Sequence, residues 1–114
     1  MESLHEFTVR LSKAVECYYH RTTTPLYSLK KYDTDEHGKM GVFGWVRELK
    51  RKNSFEVSTF WYLADMAGVA DLADVTKERM DWEETGIAIY VKNGSNGEDY
   101  QKAVKVLRAV MLEK

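Results

Sequence analysis

The chain has 114 residues, with 17 Lys+Arg against 18 Asp+Glu and a net charge of -1. That length suits one domain, residues 1–114, able to bury a core without disulfide staples. Near-neutral charge excludes a global pull toward nucleic acid or an anionic membrane, so any such affinity must come from a local patch.

Composition, at 44% hydrophobic and 31% charged, is that of an ordinary globule rather than a disordered chain. A lone cysteine, Cys17, rules out an intramolecular disulfide and points to a reducing compartment. Met1-Glu2-Ser3-Leu4-His5-Glu6 lacks the basic-then-apolar order of a signal peptide. No run approaches the ~18 apolar residues of a membrane span. The expectation is a cytoplasmic protein without a membrane partner.

Ser3-Leu4-His5-Glu6 is a capping box, in which the Ser3 hydroxyl takes the Glu6 N–H and the Glu6 carboxylate reaches back. Leu4, Phe7, Leu11, Ala14, Val15 and Tyr18 then keep helical spacing on one face, predicting a helix over Leu4 to His20. Thr22-Thr23-Thr24-Pro25 ends it, because β-branched residues ahead of a proline favour extended backbone. Leu26 to Tyr32 reads as a strand, followed by a polar turn over 33–39 in which Gly38 supplies a positive φ.

Met40 to Leu49 reads as a second strand. Its glycines, Gly41 and Gly44, predict a bulge or a close approach by another backbone. Lys50-Arg51-Lys52-Asn53 turns the chain, and Ser54 to Leu63 returns with Phe55, Val57, Thr59, Trp61 and Leu63 on one face. These three strands predict an antiparallel meander.

Ala64 to Met80 reads as one or two short helices, broken near Gly68 or before Thr76. Gly86 to Lys92 alternates with a period of two and is a strand. Asn93 to Gly97 is a turn from which Asn96 can cap a last helix carrying Tyr100, Ala103, Val104, Leu107, Val110 and Met111. The order α-β-β-β-(α)-β-α predicts an α+β fold, with about four mostly antiparallel strands and the terminal helices on one face.

Four stretches raise chemistry that the residues around them do not support. Asp33-Thr34-Asp35-Glu36-His37-Gly38 opens like a calcium loop, but position twelve is Gly44 instead of Glu, and the flanks are strands. A solvated turn is the plainer reading. Cys17 and His20 sit three apart on the predicted helix, yet His5 and His37 supply no matching zinc spacing. Asp65, Asp71, Asp74, Asp81, Glu83 and Glu84 form an acidic stretch that reads as the solvated side of short helices. Asn93 to Gly97 offers N–H groups to an anion, but Glu98 and Asp99 follow directly. No cofactor, metal ligand set or catalytic constellation stands out, and the reading is non-enzymatic.

The hairpin of the second and third strands carries the remaining surface chemistry. Arg47, Lys50, Arg51 and Lys52 place four positive charges within six residues. Alternation sets Phe43, Trp45, Phe60 and Tyr62 opposite the Val42, Val46, Phe55 and Val57 set. Such a surface is either core on both faces, a protein interface rich in aromatics and arginine, or a nucleic-acid platform that stacks bases and holds phosphates.

Lys50-Arg51-Lys52-Asn53-Ser54-Phe55-Glu56-Val57, the later run from Trp82 to Val91, and Glu98-Asp99-Tyr100 onward together resemble the MmcQ/YjbR-like small α+β domains. They are similar as well to a related domain found fused to predicted nucleases. The resemblance spans Met40 to the C-terminus. It implies a compact sheet-and-helix module suspected of binding DNA or partner proteins, with no catalytic residues to carry over. The expectation is a binding module acting through the aromatic face and the Arg47–Lys52 tip on a protein partner or a second copy of itself. Nucleic acid bound by the same residues is the alternative.

Overall fold

The computed structural model describes residues 1–22, 25–33, 41–77 and 85–114. Helix α1 (Leu4–Val15) starts on the predicted capping box. Ser3 Oγ accepts the Glu6 N–H at 3.0 Å, and the Glu6 carboxylate accepts the Ser3 N–H at 2.9 Å. The helix stops at Val15 instead of His20. Glu16 takes a left-handed conformation, with φ 64°, and its N–H closes on the Ser12 carbonyl. The chain then leaves as strand β1 (Tyr18–Arg21).

Strands β2 (Leu26–Lys30), β3 (Val42–Leu49) and β4 (Ser54–Phe60) form the predicted antiparallel meander, and β1 lies outside β2. At Phe60 the returning strand gives way to helix α2 (Trp61–Met66), so Trp61 and Leu63 are helical and not extended. A 3-10 turn, Ala70–Leu72, follows Gly68, and a three-residue strand, β5 (Val75–Lys77), comes after it. Strand β6 (Gly86–Lys92) stands as predicted, and helix α3 (Glu98–Glu113) closes the chain. Residues 34–39 of the polar turn, Met40, and residues 23–24 and 78–84 fall outside the described residues.

The fold is α+β with one antiparallel sheet, but the sheet has six strands, ordered β1-β2-β3-β4-β6-β5, and not about four. Both additional strands are edges. No described helix is long and apolar enough to cross a membrane.

Register divides the sheet into two faces. Tyr27, Leu29, Val46, Phe55, Val57, Ile87, Ile89 and Val91 occupy the first, and α1 and α3 lie against it. The Phe7 ring stacks on Phe55, with centroids 4.2 Å apart and planes 10° off parallel, and Tyr100 meets Phe7 edge-on. Arg10 covers that group with its guanidinium 4.2 Å from the Tyr100 ring, and is itself held by both oxygens of Glu2. Leu11, Val15, Ala103, Val106, Leu107 and Val110 complete the buried helix stripes. Leu63 and Ala64 of α2 join the same core.

The glycine signal in β3 resolves as a bulge, and Gly44 makes room for a side chain of α3. Leu29 pairs with Gly44 while Lys30 pairs with Val42, leaving Phe43 as the extra residue of a bulge. The bulge exchanges the two positions that simple alternation assigns. Phe43 is fully buried in the core, and Val42 pairs with Lys30 on the second face. Gly44 itself is approached by α3, because a Cβ there would lie 3.0 Å from Leu107 Cδ2 and 3.1 Å from the Ser58 carbonyl oxygen. Gly44→Ala is therefore expected to destabilise the fold by about 1–3 kcal/mol through overpacking. Urea unfolding should show a lower midpoint at unchanged slope, and an unmoved midpoint would mean that α3 does not sit on Gly44.

Candidate functional site

Three lysine and arginine side chains leave the β3–β4 hairpin from one 3-10 turn, Lys50–Lys52. With three residues per turn, their side chains fan outward instead of stacking. Asn53 ends the turn at φ 49°, a conformation asparagine tolerates, and donates its N–H to the Lys50 carbonyl. The turn is tied down from behind, since the Asn53 carbonyl accepts the Asn93 N–H at 3.0 Å. The Asn93 side chain in turn exchanges two hydrogen bonds with the Glu2 backbone, at 2.8 and 2.9 Å. One asparagine thus fixes the hairpin end, the end of β6 and the start of α1 relative to one another.

Those three elements and Pro25, just before β2, border an open cleft of about 500 Å³. Arg47, Lys50, Arg51 and Lys52 line it together with Glu48, Glu56 and Tyr90, and Leu4, Pro25 and Leu49 supply its apolar wall. Lys50, Arg51 and Lys52 are exposed and form no ion pair among the described residues. Lys52 holds its ammonium 5.4 Å from the Tyr90 ring centre.

Arg47 is anchored differently. Its Nε and Nη2 donate to the two Glu56 oxygens at 2.9 and 3.3 Å. Lys77 Nζ, from the opposite edge of the sheet, donates to Glu56 Oε1 at 2.5 Å. Glu56 is only 3% exposed, in the middle of β4. Burial pushes its carboxyl upward, but the hydrogen bonds and charges of Arg47 and Lys77 outweigh it and hold the group below the ordinary glutamate range. Glu56 is therefore an ionised structural anchor at neutral pH, with no proton to donate.

The aromatics do not gather at this cleft. Phe43 is core, Phe60 is 9% exposed, Trp45 is half-buried and Tyr62, on α2, is 43% exposed. Trp45 meets Phe60 edge-on at 5.2 Å, Tyr62 lies 5.6 Å from Phe60, and Lys114 Nζ sits 5.1 Å over the Phe60 ring. At ~3.3 Å per strand residue, Trp45 lies ~13 Å and Phe60 ~20 Å along the sheet from the hairpin end. Ser28, Lys30, Ser54, Glu56 and Ser58, which share the second face, are buried. Trp45 and Phe60 share that face with them by register, whereas Phe43 is in the core and Tyr62 is on α2.

The remaining candidates come apart as sites. Cys17 is half-buried past the end of α1, and burial pushes its thiol up to about 12, so the thiolate needed for attack or metal binding is scarce at neutral pH. His20 is on β1, not on a shared helix face. Among the described residues, no group of three or more His, Cys, Asp and Glu could hold a metal ion. The calcium-like loop beyond Asp33, and Asp81, Glu83 and Glu84, lie outside the described residues. Asp65 and Asp71 are exposed, while Asp74 accepts the Tyr90 N–H and pairs with Lys102 at 3.3 Å. The Asn93–Gly97 turn is filled by the chain's own Asp99, which accepts from the Lys92 and Tyr100 N–H groups and from Ser95 Oγ. Asn96 accepts from Arg10 and does not cap α3, whose N-cap is Gly97.

Sequence reasoning found the four cations but missed Leu4, Pro25, Tyr90 and the role of Glu56. Hairpin register could have found the last, because pairing Leu49 with Ser54 sets Arg47 opposite Glu56. No family model, curated protein or solved structure matches the chain.

Removing the anchor charge gives a test. Glu56→Gln is expected to cost about 1–3 kcal/mol at neutral pH, because two cations lose a buried acceptor but remain able to reach water. A depressed folded-state pKa stabilises above the unfolded value and loses that contribution as pH falls. The gap between wild type and variant should therefore be full above about pH 5 and close as pH falls below about 4. A gap independent of pH in chemical denaturation would contradict the ionised anchor.

Proposed function

We propose that this protein is a non-catalytic binding module whose working surface is the β3–β4 hairpin end, and that it engages a protein partner there. The observation that supports this most is the convergence of Lys50, Arg51 and Lys52, which have no ion pair among the described residues, with Leu4, Pro25 and Leu49 on one cleft. Mixed apolar and arginine-rich concavities are the kind of surface on which protein interfaces concentrate their binding energy. Self-association through the same end places like charges together, which disfavours a second copy of this chain as the occupant.

Nucleic acid would use the same four cations, but it also needs rings on which bases can stack. Trp45, half-buried, and Phe60, 9% exposed, lie ~13 and ~20 Å along the sheet from the tip, so neither ring lies beside the cations. Similarity to the MmcQ/YjbR-like domains is compatible with either partner and belongs to this proposal only as a general class of small binding module.

Tryptophan fluorescence during titration with single- and double-stranded oligonucleotides separates the two. The expected outcome is no oligonucleotide response at moderate salt that depends on Lys50 or Arg51. Steep salt-sensitive quenching, with a log–log slope of roughly -0.7 per phosphate contact for single strands, abolished by Arg51→Ala, would transfer the assignment to nucleic acid.

A further inference from the structure

The charge pattern of the cleft says more about its occupant than that it is a protein. Cations outnumber carboxylates four to two among the lining residues, and one of those carboxylates, Glu56, is already neutralised by Arg47 and Lys77. Lys50, Arg51 and Lys52 remain without an acidic partner among the described residues, although the chain has 18 acidic residues. Crowding three like charges on one turn is unfavourable unless a counter-charge arrives. Among the described residues lining the cleft the one aromatic ring is Tyr90, and Lys52 already lies 5.4 Å from its centre, which leaves little stacking platform for a base. Leu4, Pro25 and Leu49 need an apolar group to exclude water.

We propose that the cleft takes an extended acidic segment of a partner protein, in which an apolar side chain seats against Leu4, Pro25 and Leu49 while flanking carboxylates meet Lys50, Arg51 and Lys52. This rests on the reading of the hairpin end as a protein-binding surface. Lys50 and Arg51 confer the charge preference. Arg47 adds its remaining donors from a position fixed by Glu56, because a guanidinium held by two hydrogen bonds is preorganised for a second carboxylate. Affinity falls with salt, since the exposed pairs are screened within a Debye length of ~8–10 Å.

A random-peptide display selection on the immobilised full chain, with counter-selection on the doubly substituted Lys50→Glu, Arg51→Glu protein, tests this. Both positions are exposed, so the variant should match wild type in thermal unfolding. The expected peptides, recovered by wild type alone, carry two or more Asp or Glu within three residues of an apolar residue. Representative synthetic peptides should bind the variant at least tenfold more weakly, and should weaken similarly when their apolar residue becomes Ser. Tip-dependent peptides without acidic residues would overturn the acidic segment and leave the protein-binding reading in place. Tip-dependent binding of an oligonucleotide, with no tip-dependent peptide, would overturn both.

Discussion

Helix α3 packs closely on the central strand β3 because that strand presents no side chain at Gly44, where Leu107 meets it. At Gly44 the nearest helix atom, Leu107 Cδ2, is 3.0 Å from where a Cβ would be, and the Ser58 carbonyl is 3.1 Å away. With the helix this low, Val106, Leu107 and Val110 reach the β-strand side chains, and Phe7 can stack on Phe55 beside Tyr100. The bulge at the same place turns Phe43 into the space that the missing side chain and the bent strand create. Close packing of this kind leaves little room for adjustment at the point where α3 crosses β3.

The hairpin end shows the opposite economy of charge. Elsewhere several carboxylates have close partners: Glu2 with Arg10, Glu56 with Arg47 and Lys77, and Asp99 with backbone N–H groups and Ser95. At the tip, three cations have none among the described residues. A chain whose total charge is nearly balanced has therefore separated its charge locally, and such separation creates a field at a cleft even where net charge predicts none.

What could be read from the sequence was whatever rests on local chemistry. The Ser3/Glu6 capping box, the alternation of Ile87, Ile89 and Val91, and the glycines of β3 each announced their structure because the cause lies within a few residues. The errors came where a distant partner decides. Tyr18 continues the helical spacing of α1, but its backbone pairs with Lys30, and the left-handed Glu16 that breaks the helix carries no glycine to signal it. Val75–Lys77 is extended because β6 offers it an edge. Trp61 continues the alternation of β4 into a residue that coils. The site followed the same division. Four cations in six residues were visible at once, whereas Leu4, Pro25 and Tyr90 reach the cleft from other elements.

Glu56 has a position that joins two otherwise separate parts of the molecule. Its carboxylate accepts from Arg47, which lines the cleft, and from Lys77 at the end of a three-residue strand whose ladder runs only to β6. Two donors that share one acceptor are thermodynamically linked. A carboxylate that takes up the remaining donors of Arg47 leaves both of its bonds to Glu56 in place, and Lys77 holds the same acceptor from the other side. One buried carboxylate thereby ties the cleft end of β3 to the β5 edge, with β6 lying between.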